Sequence, residues 1–194
     1  VFNNNKDSGA VIYSNRTITI SSVTANGNLG GGLELDNEDD FASSVLVTGK
    51  NQFNGNNDMG IYVYSNGLVT VTGVEAGGNV GGQGIYIETK KTVNLSNSLV
   101  YNTQGGYTGI EIYTSDTDPT ANVTISNVVS YGNTYYGLDI TARAGKVKLL
   151  NSSFIMNENY GFSVDVKEAP VAPSMTSLNF YMSNVNYFGN NLGR

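Results

Sequence analysis

The sequence lacks the residues on which most catalytic and metal chemistry depends. Its 194 residues contain no cysteine, no histidine and no tryptophan, and only three prolines. The absence of cysteine and histidine excludes disulfides, thiolate nucleophiles, imidazole catalysis and the usual zinc sites. Charge is also scarce, since Asp, Glu, Lys and Arg make up 13% of the chain, against about 25% in an average globular domain. Such a composition favours exposed strands rich in Thr, Ser, Asn and Tyr over helices.

The charge balance and the hydropathy exclude two kinds of partner. Ten Lys and Arg stand against 16 Asp and Glu, so the formal net charge is −6. Nucleic acid binding needs clustered cations to neutralise phosphates, and the adjacent pair Lys90 and Lys91 is not such a cluster. No apolar run approaches the ~20 residues of a membrane-spanning helix. We therefore expect no nucleic acid partner and no membrane insertion.

The chain has an internal repeat instead. Its anchor is a glycine followed by an apolar, a variable and an apolar residue, and the anchors recur at steps of 23 to 28 residues. The seven anchor glycines are Gly9, Gly32, Gly60, Gly84, Gly109, Gly137 and Gly161. A second alternating segment follows each anchor, as Val69-Thr70-Val71 does, and a third ends in Asn and Gly. Three short strands per repeat predict one coil of a parallel β-helix.

The predicted fold is therefore an all-β, parallel β-helix solenoid of about seven coils, with one domain spanning residues 1–194. A propeller blade needs about 40 residues, and a leucine-rich repeat needs a Leu-x-Leu and Asn pattern that is absent. The seven coils resemble the right-handed parallel β-helix repeats of the pectate-lyase-like superfamily. This resemblance implies the fold but no single activity, because lyases, hydrolases, phage spikes and surface proteins share it.

Two sets of repeated residues have a structural interpretation. The anchor glycines are expected at a corner where φ is positive or a neighbouring coil passes close by. The asparagines near the end of each coil are expected to stack and to form hydrogen bonds along the rod. The glycines of this prediction are Gly32, Gly60, Gly84, Gly109, Gly137 and Gly161, and the asparagines are Asn28, Asn56, Asn79, Asn133, Asn159 and Asn190.

The outward positions of the first strand form columns in which tyrosines alternate with carboxylates. Sugars stack on aromatic rings and form hydrogen bonds with acids, so these columns predict a face that contacts polysaccharide. An ordinary strand surface is the alternative, because tyrosine packs well between neighbouring strands. The candidate glycan-binding residues are Tyr62, Tyr64, Tyr86, Glu88, Glu111, Tyr113 and Asp139.

One acidic loop is a candidate calcium site, and no other cofactor is expected. In "DNEDD", the side chains of Asp36, Glu38, Asp39 and Asp40 supply oxygens of the kind that calcium binds. A solvated acidic turn explains the same residues. No catalytic residues are predicted, because the Asn-Thr-Asp and Gly-His-Gly motifs of the similar polygalacturonases are absent. A carboxylate pair such as Glu111 and Asp139 keeps glycoside hydrolysis as an alternative.

The two ends of the sequence share one phase of the repeat, since "FNNN" at residues 2–5 matches "FGNN" at residues 188–191. We expect either an excerpt of a longer array or a unit that stacks head to tail into a fibre. The predicted function is a non-catalytic structural module of a bacterial protein or fibre, whose partner is itself or its flanking repeats. The alternatives are a glycan-binding adhesin and a polysaccharide lyase or hydrolase. Similar repeat arrays in exported bacterial proteins imply an extracellular or cell-surface location.

Overall fold

The computed structural model describes residues 1–37, 42–114, 120–143, 145–167 and 180–190. The strands, in chain order, are β1 (Ala10–Tyr13), β2 (Ile18–Ser21), β3 (Leu33–Asn37), β4 (Val45–Thr48), β5 (Asn51–Gln52), β6 (Ile61–Ser65), β7 (Val69–Thr72), β8 (Val74–Gly77), β9 (Ile85–Thr89), β10 (Val93–Tyr101), β11 (Ile110–Thr114), β12 (Val123–Tyr131), β13 (Leu138–Arg143), β14 (Val147–Ile155), β15 (Phe162–Lys167) and β16 (Phe180–Asn186). Nowhere in these ranges is there a helix long and apolar enough to cross a bilayer.

The strands stack as a parallel β-solenoid. The first strands of successive coils form a seven-stranded sheet in the order β1-β3-β6-β9-β11-β13-β15. The seven second strands, together with β5 and β8, form a nine-stranded sheet. Each anchor repeat is in register with the next, as Ile61 shows by pairing with Leu33 on one side and Ile85 on the other. The glycine anchors therefore gave the register of the first sheet residue by residue, as predicted for an all-β solenoid.

The second and third segments of a coil are separated by a bend in left-handed conformation. In β10, β12, β14 and β16 the two segments form one continuous strand, and an asparagine with φ between 48° and 54° occupies the bend. These residues are Asn97, Asn127, Asn151 and Asn184. Gly49 and Gly73 occupy the same bend between β4 and β5 and between β7 and β8. Glycine and asparagine reach this region most easily, so the bend accepts either.

The core is a set of aliphatic columns along the axis of the rod. Ile61, Val63, Val69, Val71 and Val74 are at most 2% exposed, and each such side chain contributes about 1.5–3 kcal/mol of burial. The entropy lost in ordering the chain offsets most of this sum. Several inward side chains of the first and last coils are only partly buried, namely Ala10, Ile12, Ile20, Val23, Phe162, Val164, Val166, Phe180 and Val185.

The anchor glycines are required by close approach of the next coil. No anchor glycine has a positive φ. A Cβ at Gly137 would lie 2.5 Å from the carbonyl oxygen of Gly161 and 2.5 Å from Nδ2 of Asn157. Real Cβ atoms do not come so near to a backbone oxygen, so any side chain would force adjacent coils apart. Of the two explanations expected from the sequence, tight stacking applies and positive φ does not.

Candidate functional site

A ladder of buried asparagines runs along one corner of the rod. Where two members lie in successive coils, the backbone N–H and Nδ2 of the first donate to Oδ1 of the second. Asn28 donates in this way to Asn56 at 3.0 and 2.9 Å, and Asn133 donates to Asn157 at 3.1 and 2.8 Å. Its members, which we call the buried ladder, are Asn5, Asn28, Asn56, Asn79, Asn133, Asn157 and Asn190. All are buried except the two terminal members, since Asn5 is exposed and Asn190 is partly exposed. Buried amides that are fully paired in this way fix one coil over the next.

The placement of Asn159 in this ladder was wrong. Asn157 occupies the position, and its backbone N–H donates to Oδ1 of Asn190 at 2.9 Å. The backbone N–H of Asn159 instead donates to the carbonyl oxygen of Tyr135 at 3.1 Å. In most coils the ladder residue follows a glycine of positive φ, but here Met156 holds that conformation with φ 53°. The Gly-Asn signal was therefore missing from this coil.

Threonine interrupts the ladder once. The backbone N–H of Thr103 donates to Oδ1 of Asn133 at 3.0 Å, as a ladder asparagine would do. Its side chain carries no amide, however, and its buried Oγ1 has no hydrogen-bond partner. Nδ2 of Asn79 in the preceding coil donates to the carbonyl oxygen of Phe53. The step between the coils of Asn79 and Thr103 thus lacks the paired side-chain bonds found elsewhere.

The outer face of the first sheet carries the predicted tyrosine and carboxylate columns. The first column places Glu34, Tyr62, Tyr86, Glu111 and Asp139 on successive strands, one beside the next. The second places Asp36, Tyr64, Glu88 and Tyr113 side by side. All seven candidate glycan-binding residues are partly exposed on this face, which brings them together as one continuous surface.

Two tyrosines form the centre of this surface. The rings of Tyr62 and Tyr86 stack with centroids 5.3 Å apart and planes at 19°, and the ring of Tyr64 lies 6.4 Å from that of Tyr62. The hydroxyl of Tyr86 donates to Oε2 of Glu88 at 3.1 Å. Burial, followed by the charge of Glu88, raises the pKa of Tyr86 above its ordinary value. Tyr86 therefore stays a neutral hydrogen-bond donor at physiological pH.

The carboxylates of this face are held by different partners. Nε2 of Gln83 donates to Oε2 of Glu111 at 2.5 Å, and the hydroxyl of Tyr13 donates to Oε1 of Glu34 at 3.3 Å. Asp139 pairs in register with Glu111 on the neighbouring strand. The carboxylate oxygens of this face are acceptors that a ligand hydroxyl or amine could also reach.

A cleft of about 290 Å³ opens beside Tyr62 at the edge of this face. It is lined by Ser8, Gly31, Leu33, Glu34, Asp58, Met59 and Tyr62. These residues come from three successive coils, and Gly31 leaves space where the neighbouring coils carry Ser8 and Met59. Sequence reasoning missed the cleft because the residues before the anchor glycines were read only as connections between coils.

A second aromatic cluster also escaped sequence reasoning. The rings of Tyr135 and Tyr136 stack with centroids 4.0 Å apart, and Tyr160 lies 5.3 Å from Tyr136. A side-chain hydrogen bond with Tyr135, followed by burial, raises the pKa of Tyr136 to about 12. Tyr136 and Tyr160 directly precede the anchors Gly137 and Gly161. Their shared position, one residue before an anchor glycine, is the sequence signal that predicts this cluster.

The predicted calcium site is untested, because three of its four residues are not described by the structure. Glu38, Asp39 and Asp40 lie outside the described residues. Asp36 lies in β3, where it pairs with Tyr13 on one side and Tyr64 on the other. Within the described ranges, no three acidic side chains are grouped closely enough to hold a metal ion. A calcium site in this loop stays a prediction.

Comparison with known proteins identifies a family but no individual relative. No curated protein and no solved structure matches the chain significantly. The model of one family, described as a right handed beta helix region, matches residues 60–191, which is more than half of the chain. The parallel coils, the inward aliphatic columns and the stacked asparagines agree with that match. The chain therefore belongs to the right-handed β-helix family.

Proposed function

We propose that this chain is a non-catalytic structural module of an extracellular or cell-surface protein, a rod to which further coils add at either end. The observation that carries the proposal is the partial exposure of the inward side chains in the first and last coils, such as Ile12 and Val164. In every coil between them the equivalent columns are buried. Stacking one more coil on each end would bury this apolar surface.

The strand edges support the same proposal. β1 and β2 form one edge of the two sheets, and β15 and β16 form the other. Such edges present backbone groups that pair readily with another strand, and parallel coils of the same phase are suitable partners. The occupant that we propose is a coil of the same repeat, either from flanking sequence or from a second copy of the chain. The extracellular location rests on the exported repeat arrays that the chain resembles.

The stacking is tested by charging one end of the rod. Val164 points inward in the last coil, whereas its neighbour Ser163 points outward, in register with Asp139. We expect the unmodified chain to form head-to-tail oligomers that grow with concentration in analytical ultracentrifugation and electron microscopy. Val164→Lys should abolish them, because stacking would bury a charge, and Ser163→Lys should leave them intact. Monomers at every concentration in all three proteins would contradict self-stacking.

A glycan-binding face is the second candidate function, and the stacked pair Tyr62 and Tyr86 favours it. Partly exposed rings next to carboxylates offer both an apolar surface for sugar C–H groups and acceptors for sugar hydroxyls. An array of immobilised glycans probed with the chain tests this candidate. Tyr62→Ala and Tyr86→Ala should each lower the signal. Tyr181→Ala, an exposed ring on the other sheet, is the matched control and should bind as the unmodified chain does.

A further inference from the structure

We propose that the cleft beside Tyr62 binds a sugar residue that carries a free amine, and that the first-sheet face thereby selects cationic over acidic polysaccharides. The inference rests on the glycan-binding function proposed above and adds the chemical class of the ligand. It comes from three observations, which are the position of Tyr62, the size of the cleft and the sign of the charges around it.

Tyr62 has a different neighbour on each side. On the β9 side, it stacks against Tyr86. On the β3 side, it pairs in register with Glu34, and both side chains line the cleft. The ring is thus supported from behind by a second ring while it forms a wall of the cavity. A sugar placed in the cleft would contact the ring of Tyr62 and the carboxylate of Glu34 together.

The size and the lining of the cleft fit one sugar ring. Its volume of about 290 Å³ lies at the lower limit of small-ligand pockets, which are about 300–1,000 Å³. Met59 supplies apolar surface, and the hydroxyl of Ser8 is a short-range polar partner that already accepts the N–H of Gly31 at 3.2 Å. An aromatic wall, an apolar base and a few polar groups are the usual features of a saccharide site.

The charge around the cleft is negative. Glu34 and Asp58 both line it, whereas no Lys or Arg is found among its described lining residues. Further carboxylates follow along the outward columns, namely Asp36, Glu88, Glu111, Asp139 and Asp165. Arg143, at the end of β13, lies three strands away from the cleft. This field repels a uronate and attracts an ammonium group to the cleft that Glu34 and Asp58 both line.

Calorimetric titration of the chain with three tetrasaccharides tests the inference, using glucosamine, N-acetylglucosamine and galacturonic acid oligomers. We expect the glucosamine tetramer to bind about tenfold more tightly than its N-acetylated form, and the galacturonate to bind most weakly. Raising the salt concentration should reduce the difference in affinity between the glucosamine tetramer and its N-acetylated form, because partly exposed charges are screened. Glu34→Gln combined with Asp58→Asn should reduce glucosamine binding to the N-acetylated level. Glu158→Gln, which removes an exposed carboxylate outside the cleft, is the matched control.

The outcomes separate this inference from the function on which it rests. If Tyr62→Ala weakens both amino sugars and only the double carboxylate variant removes the preference, both proposals hold. If the neutral tetramer binds equally well, or if the preference survives in the double variant, charge selection is wrong and the glycan face remains. Tightest binding of galacturonate would also overturn charge selection. Absence of binding to every tetramer would overturn both.

Discussion

Two columns of asparagine run along this rod, and they differ in almost every physical respect. The buried ladder lies at the corner before the first strand, where Asn56 and Asn79 are fully buried. The exposed column, Asn97, Asn127, Asn151 and Asn184, lies at the bend within the second sheet. Its members are joined by single side-chain bonds, as between Nδ2 of Asn127 and Oδ1 of Asn97 at 3.3 Å and between Nδ2 of Asn184 and Oδ1 of Asn151 at 3.1 Å.

The same residue type therefore serves two purposes. In the buried ladder the amide group is needed, because its donors and acceptor satisfy backbone and side-chain groups that water does not reach. In the exposed column the conformation is needed, because asparagine tolerates a positive φ better than other residues that carry a Cβ. A periodic asparagine in a solenoid sequence thus does not by itself indicate a hydrogen-bonded ladder.

Replacement of a buried ladder member should have the largest effect. In Asn56→Ala, the N–H and Nδ2 of Asn28 lose their acceptor, and the bonds from Nδ2 of Asn56 to Ala25 and Asn79 are lost as well. We expect the free energy of unfolding to fall by about 3 kcal/mol, because buried donors are left unpaired. Urea unfolding measures the change. A loss below about 1 kcal/mol would mean that water replaces the missing amide.

Two glycines near the buried ladder are required for different reasons, Gly60 because a neighbouring coil passes close to it and Gly55 because its φ is positive. A Cβ at Gly60 would overlap the carbonyl oxygen of Gly84 and lie 2.7 Å from Nδ2 of Asn79, whereas a Cβ at Gly55 would have nothing within 4 Å. Gly60→Ala should cost about 2 kcal/mol through overpacking. Gly55→Ala should cost about 1 kcal/mol, because its φ is 64°. Thermal unfolding of both variants tests which of them loses more stability, and equal losses of stability would contradict the prediction.

Restoration of the missing ladder member should stabilise the rod. Thr103→Asn adds an Oδ1 within the column of Asn79 and an Nδ2 next to Oδ1 of Asn133, where Oγ1 of threonine is unpaired. We expect a gain of about 1 kcal/mol in the free energy of unfolding, measured in urea. Thr108→Asn is the control, because Thr108 is also buried but lies outside the ladder. A higher free energy of unfolding in Thr108→Asn, or a lower one in Thr103→Asn, would contradict this expectation. Side-chain volume, and not the added hydrogen bonds, would then determine the change in stability.

The smallest effects are expected in the exposed column. Asn127→Ala should cost about 1 kcal/mol because alanine fits a φ of 54° poorly. Asn127→Gly should be close to neutral, since glycine occupies the equivalent bend at Gly49 and Gly73. Differential scanning calorimetry compares the two variants with Asn56→Ala. If glycine proves as costly as alanine at this position, the side-chain bonds of the exposed column contribute to stability after all.

The sequence predicted the coils far better than the corners between them. The anchor pattern gave the register of the first sheet and both outward columns, because period-two alternation and a glycine are local signals. Asn157 was missed because Met156 replaces the glycine that marks the ladder in most coils. The cleft beside Tyr62 was missed because Ser8, Glu34 and Asp58 come from three coils. Surfaces of that kind arise from the lateral spacing of coils, which a single repeat does not encode.

The bonds that join one asparagine of the buried ladder to the next all point the same way, from one coil to the one that follows it. Asn5 donates to Asn28, Asn28 to Asn56, and at the other end Asn157 donates to Asn190. The rod is consequently polar, with a hydrogen-bond acceptor at one end of the ladder and donors at the other. Two rods that meet at their acceptor ends cannot continue the ladder. Any assembly that continues the ladder between rods must have a single polarity along its whole length.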